Sequence, residues 1–302
     1  MTPPYRDSVP PMSTRLALVG LALAAALFGG TFVVVKDALA AIPPMGFVAW
    51  RFLLASAALF LVARPSGTRV WRDGLVAGSL LFAGYAFQTA GLVTTTASNS
   101  GLITGLYVVF TPLLAGALVR RAPSWITLAG TALALVGLVL LTVEPPLRFE
   151  RGDLLTLACA VAFAAHIVAL SRLAPRHPVL PFTAVQLLVT AVAALGLAAV
   201  FEGLTLPPRE VLWALLLTGV GVSVAAFALQ VHAQRVVGPS RTAIVLAVEP
   251  VFAAAIGAVV LGERLDAAGW VGAAAIMAGI YLVLTLSPDD ELLGAEAITE
   301  AH

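Results

Sequence analysis

The chain is a series of long apolar stretches separated by short polar joins. Leu16 to Val35 runs for about 20 residues without a charge, enough for a helix to cross roughly 30 Å of hydrocarbon. Further runs of spanning length fall near residues 44–63, 71–93, 97–119, 123–143, 153–173, 180–201, 210–235, 239–261 and 266–286. The first ends near Ala38-Leu39-Ala40, which mimics a signal-peptide cleavage site, but it is longer than a signal core and reads as a retained span. Joins such as Thr94-Thr95-Thr96 and Arg120-Arg121-Ala122 are so short that neighbouring helices must form antiparallel hairpins.

The pattern repeats. Gln88 to Pro112 (QTAGLVTTTASNSGLITGLYVVFTP) returns, altered, as Gln230 to Pro250 (QVHAQRVVGPSRTAIVLAVEP), 142 residues later, and Gly130 and Gly137 fall on Gly272 and Gly279 at the same separation. Two copies of five spans each require the second to cross the membrane upside down relative to the first. The expected fold is therefore an all-α integral membrane protein of ten transmembrane helices arranged as two inverted five-helix repeats, the plan of many secondary transporters. The expected divisions are a disordered cytoplasmic tail (1–13), a first repeat (14–143), an extracytoplasmic linker (144–152), a second repeat (153–286) and an acidic cytoplasmic tail (287–302).

Composition agrees with lipid as the main solvent. Sixty per cent of residues are apolar, 11% are charged and mean hydropathy is +1.01, whereas a soluble domain carries about 25% charged residues and this chain could not cover a soluble surface. A net charge of +1 gives no field for nucleic acid. The lone Cys159, inside an apolar run, has no partner for an intrachain disulfide or thiolate metal site. With a cytoplasmic N-terminus, eleven Lys and Arg fall in inside connections and five in outside ones, Arg51 being intramembrane. That balance places both termini in the cytoplasm of a multi-pass cytoplasmic (inner) membrane protein.

Polar residues within the spans are the candidate chemistry, because each is costly in hydrocarbon. Glu249 lies about 15 Å into its helix, near the midplane. Pro250 beside it removes a backbone donor and clashes with the Leu246 carbonyl, loosening the helix. Glu249 is either a structural carboxylate or a group that takes up a proton and couples transport to it. Arg51 meets an anionic substrate group, pairs with Glu249, or is structural, and the repeat gives Gln186 as its neutral equivalent. Tyr85, Gln88 and Thr89 form one polar patch. Asn99 lies on the next span, where Ser100, Thr104 and Tyr107 share a face, and Gln230 and His232 echo the patch in the second copy. His166 is deep in its helix. Gly30 and Thr31 weaken the end of the first span, and Pro112, like Pro250, is a candidate helix break. Ligand contact and interhelical hydrogen bonding are both open for these residues.

Several stretches together resemble the drug/metabolite transporter superfamily in its EamA-like branch of ten-helix permeases. They are Leu27-Phe28-Gly29-Gly30-Thr31-Phe32 with Lys36, Pro44 with Arg51-Phe52, and Ala97-Ser98-Asn99-Ser100 through Pro112. The second half adds Gly152-Asp153, Phe182-Thr183-Ala184 with Gln186, and Glu249-Pro250 followed by Leu261-Gly262-Glu263. The resemblance covers residues 14 to 286. It implies a secondary transporter of a small organic metabolite, an amino acid or related compound in the direction of export, working by alternating access in the bilayer. It implies no cofactor and no obligatory protein partner, with homodimerisation left open. A lipid or polyprenyl-linked headgroup flippase on the same fold is the alternative. A membrane-embedded enzyme lacks support, since no H-E-x-x-H, Gly-flanked serine or Walker A stretch is present.

Overall fold

The computed structural model describes residues 13–92, 94–95, 97–142, 151–203, 205–260 and 266–287. Most of both expected tails, nearly all of the expected linker, and Leu261-Gly262-Glu263 lie outside them. Among the described residues the chain is all helix: α1 (Thr14–Gly30), α2 (Phe32–Ala38), α3 (Pro44–Val62), α4 (Thr68–Leu92), α5 (Ala97–Gly105), α6 (Tyr107–Leu118), α7 (Trp125–Thr142), α8 (Arg151–Leu173), α9 (Val179–Leu197), α10 (Leu212–Leu215), α11 (Val224–Ala233), α12 (Pro239–Leu246), α13 (Glu249–Val260) and α14 (Ala267–Leu286). Eight helical stretches among the described residues are long and apolar enough to cross a membrane, and α1 is a shorter apolar one.

Three spans are interrupted. Thr31, Leu106 and Ala247 have ψ of −12°, −11° and −7°, against about −42° in a regular α-helix. The first parts α1 from α2, the second α5 from α6, and the third α12 from α13. Leu106 and Val248 lie 142 residues apart, so the second and third breaks occupy matched places in the two copies. A further departure divides α10 from α11, where Leu216–Ser223 winds as a π-helix.

The principal helix pairs join the first half to the second: α7 packs on α14, α4 on α8 and α9, α3 on α9, α1 on α11 and α13, and α6 on α8 and α12. Lipid gives little hydrophobic drive for helix association, so close backbone approach at small residues must supply it. At the α7–α14 seam a Cβ on Gly137 would sit 2.5 Å from the Gly272 carbonyl, and one on Gly272 2.5 Å from the Gly137 carbonyl. Gly130 and Gly279 meet in the same reciprocal way, at 3.0 and 2.6 Å. Rising numbers on one helix meet falling numbers on the other, so α7 and α14 run antiparallel. Two further corners match. A Cβ on Gly78 would lie 2.6 Å from the Gln186 carbonyl, and one on Gly219 2.7 Å from the Arg51 carbonyl.

The ends of these pairs are fastened by buried polar contacts. The Glu202 carboxylate, from the second half, accepts from the backbone N–H groups of Met45 (3.0 Å) and Gly46 (2.9 Å) at the start of α3, where unpaired amides and the helix dipole favour an anion. Asp73 at the start of α4 accepts from Arg72 Nε at 3.0 Å and lies 2.7 Å from His177 Nε2 of the second half. Asp266 caps α14 through the Gly269 amide, the role its position at a helix end suggests. Trp125, Trp213 and Trp270 are exposed near helix ends, where indoles anchor in the membrane interface.

Candidate functional site

The broken spans meet where the first span ends. Gly29 is pressed against the start of α13, since a Cβ there would lie 2.6 Å from the Glu249 carbonyl, and one on Gly30 would lie 3.2 Å from Ile256 Cδ1. Only glycine allows α1 to come so close to the loosened backbone before Pro250. Thr31 is buried and its hydroxyl donates to the Phe28 carbonyl at 2.7 Å, satisfying an acceptor left free as α1 ends.

Around this junction stands a continuous series of aromatic rings contributed by five helices. Phe28 of α1 meets Phe227 of α11 edge-on at 5.1 Å between centroids, and Phe227 lies 5.9 Å from Phe52 of α3. Phe52 meets Tyr85 of α4 at 4.9 Å, and Tyr85 meets Phe163 of α8 at 5.5 Å. The Arg51 guanidinium lies 5.4 Å from the Phe52 ring centre and 5.9 Å from that of Tyr85, a contact that attracts a cation to an aromatic face. Arg51 is 5% exposed, and its Nε donates to Ser223 Oγ at 2.8 Å.

Four of the sequence candidates share this region. Arg51, Tyr85 and Glu249 are close enough for their charges to interact, and Tyr107, buried at the start of α6, is likewise within reach of Glu249. Among the described residues Arg51 and Glu249 form no ion pair with each other. Gln88 Nε2 donates to Thr104 Oγ1 at 3.3 Å, joining α4 to α5, and Thr104 Oγ1 lies 3.8 Å from Cys159 Sγ.

The remaining candidates lie elsewhere or do other work. His166 Nε2 is 3.0 Å from Gln186 Oε1 in a fully buried pair between α8 and α9. Gln186 therefore spends its side chain on His166, whereas its counterpart Arg51 reaches across to Ser223. Gln230 donates to Gln234, which in turn bonds the Ile167 carbonyl and Ser171; this network ties α11 to α8. Pro112 lies inside the continuous α6, and the interruption in that span comes earlier, at Leu106 after the weak helix former Gly105. The side chain of Asn99 lies outside the described residues. Ser223, Phe163 and Phe227 did not stand out in the sequence, because each sits in an apolar run and acquires its neighbours only through packing between distant helices.

Comparison with known proteins gives a family. The model of the EamA-like transporter family matches residues 15–143 and again 150–285. A protein of Archaeoglobus fulgidus named an uncharacterized transporter is 34% identical over 269 residues, covering 88% of this chain and 84% of its own length. Proteins of Salmonella typhimurium and Escherichia coli, each named a probable amino-acid metabolite efflux pump, are 28% identical and are covered over 92% and 95% of their lengths, with 86% and 90% of this chain matched. A crystal structure at 22% identity superposes with a TM-score of 0.76 over 90% of this chain and 98% of the other, a likeness of fold.

Proposed function

The chain belongs to the EamA-like transporter family, and from that premise we propose that it is a secondary transporter exporting a small organic metabolite, an amino acid or related compound, across the cytoplasmic membrane by alternating access. It is a multi-pass membrane transporter rather than an enzyme. The finer reading is supported above all by the reciprocal glycine seam. Gly130, Gly137, Gly272 and Gly279 occupy matched places in the two copies yet meet on antiparallel helices, as two repeats of opposite sense require. With α1 and α4 counted beside the eight long apolar stretches, ten crossings result, five in 14–143 and five in 153–286, with both termini cytoplasmic. Two near-equivalent halves of opposite sense can exchange roles, opening a shared site to one side and then the other.

The site in this reading is the region between the broken spans, bordered by Gly30, Thr31, Tyr85, Tyr107, Arg51 and Glu249, with Gln88 and Thr104 bracing its wall. Glu249 couples flux to protons, since a membrane carboxylate that gains and loses a proton can link the two movements. The test is a metabolite survey of cells lacking and overexpressing the protein, followed by efflux of the leading solute from proteoliposomes under imposed pH gradients. Glu249→Gln should abolish the response to the gradient; an unaltered response removes Glu249 from the coupling step.

A further inference from the structure

Arg51 is held at one end and open at the other. Its Nε donates to Ser223 Oγ at 2.8 Å, and Ser223 Oγ in turn donates to the Thr218 carbonyl, five residues back, at 2.7 Å. That spacing suits the π-helical winding of Leu216–Ser223, in which carbonyls face residues five positions on. The same turn approaches Arg51 through its backbone, because a Cβ on Gly219 would lie 2.7 Å from the Arg51 carbonyl. One short stretch of the second half thus grips both the main chain and the side chain of a residue from the first. The hydroxyl uses its donor on Thr218 and accepts from Arg51, so it cannot rotate away without breaking a bond.

The terminal nitrogens of Arg51 have no hydrogen-bond partner among the described residues, and neither has the carboxylate of Glu249. Both groups are within reach of each other's charge but are not joined. A buried cation and a buried anion left apart are each costly. The arrangement becomes favourable when a solute supplies the missing partner to each. A guanidinium whose two terminal nitrogens are unoccupied offers the forked geometry that a carboxylate accepts. The rings of Phe28, Phe52, Phe227 and Tyr85 leave an apolar surface beside it for the rest of the solute.

We propose that Arg51 and Glu249 are the two poles of a zwitterion site, Arg51 receiving the solute's carboxylate and Glu249 its ammonium group, and that Ser223 is the residue that positions Arg51 for it. This rests on the transport reading above and specifies the chemistry of its substrate: an α-amino acid with an apolar side chain. Ser223 acts through Arg51 and does not itself touch the solute.

The experiment uses the full chain in proteoliposomes, with radiolabelled L-leucine as probe, leucinamide as the analogue lacking the carboxylate, and 4-methylpentanoate as the analogue lacking the ammonium group. The native protein should carry leucine and be inhibited by either analogue only at concentrations about tenfold higher or more. Ser223→Ala should raise the KM for leucine about tenfold, the loss of one hydrogen bond to a charged group, while kcat stays within about twofold. It should also narrow the gap between leucine and leucinamide, and Ser223→Thr, which keeps the hydroxyl, should restore it. A merely structural serine would lower the amount of folded transporter and leave KM and the analogue ratios alone, and that result overturns the positioning role. If leucine and both analogues are ignored while another class of organic solute is carried, the zwitterion site is overturned and the transport reading stands. If no solute of any class moves, the transport reading itself falls.

Discussion

Two corners of the molecule are built alike and used differently. At one, Gly78 of α4 rests on the carbonyl of Gln186 in α9; at the other, Gly219 rests on the carbonyl of Arg51 in α3. The backbone contacts agree within 0.1 Å in the space they leave for a Cβ, but the side chains diverge. Gln186 closes on His166 in a fully buried pair, whereas Arg51 is steadied by Ser223 and keeps its terminal nitrogens open. Next to Gly78 the helix is regular, while next to Gly219 it winds as a π-helix. Symmetry thus resides in the main chain, where small residues let helices meet, and asymmetry resides in the polar groups. A scaffold of two matching halves can house a single off-centre site.

The largest effects should come from filling the matched contacts. Gly78→Val and Gly219→Val each put side-chain atoms where a carbonyl already lies, so each should destabilise the protein by about 3 kcal/mol or more, beyond ordinary overpacking, because backbone cannot yield as a side chain does. Thermal unfolding of the purified protein should show comparable losses; a loss at one corner only would break the equivalence. Next come the polar groups. Arg51→Gln should cut flux at least tenfold with the fold retained, while Gln186→Leu should cost about 1–2 kcal/mol by orphaning His166 and leave flux nearly intact.

Exchanging charges sharpens the contrast further. Because Arg51 and Glu249 are not bonded to each other, the double variant Arg51→Glu with Glu249→Arg should transport no better than either single variant. Rescue by the double change would make them a structural pair. The smallest effect is expected at the membrane margin, where Glu202→Gln should lower stability by about 1 kcal/mol through weaker capping of α3 and should leave the KM unchanged.

Much of this was legible because membrane helices advertise themselves by length and because the glycines were paired by spacing. Gly130, Gly137, Gly272 and Gly279 could be matched in the sequence, and the structure adds that the matched pairs touch each other. Glu249 beside Pro250 could be recognised as a polar group at a weak point, and the chain does interrupt its helix at Ala247. The spans near 97–119 and 239–261 read as unbroken, because hydropathy is blind to ψ. Ser223 was invisible for a different reason: a hydroxyl in a run of valines and alanines carries no local signal, and its role arises from a contact 172 residues away in the chain. The pairing of Gln186 with His166 was hidden similarly, since repeat spacing gives equivalent positions without saying which of them face one another.

The interleaving of the halves has a consequence for biosynthesis. The chief partners of α1, α3, α4, α6 and α7 all belong to the later half of the chain, so the helices inserted first have nearly nothing to settle against until the remainder has been threaded into the bilayer. The nascent protein must wait as separately inserted, loosely associated rods, and its final assembly is a late event in which both halves acquire their shape at once.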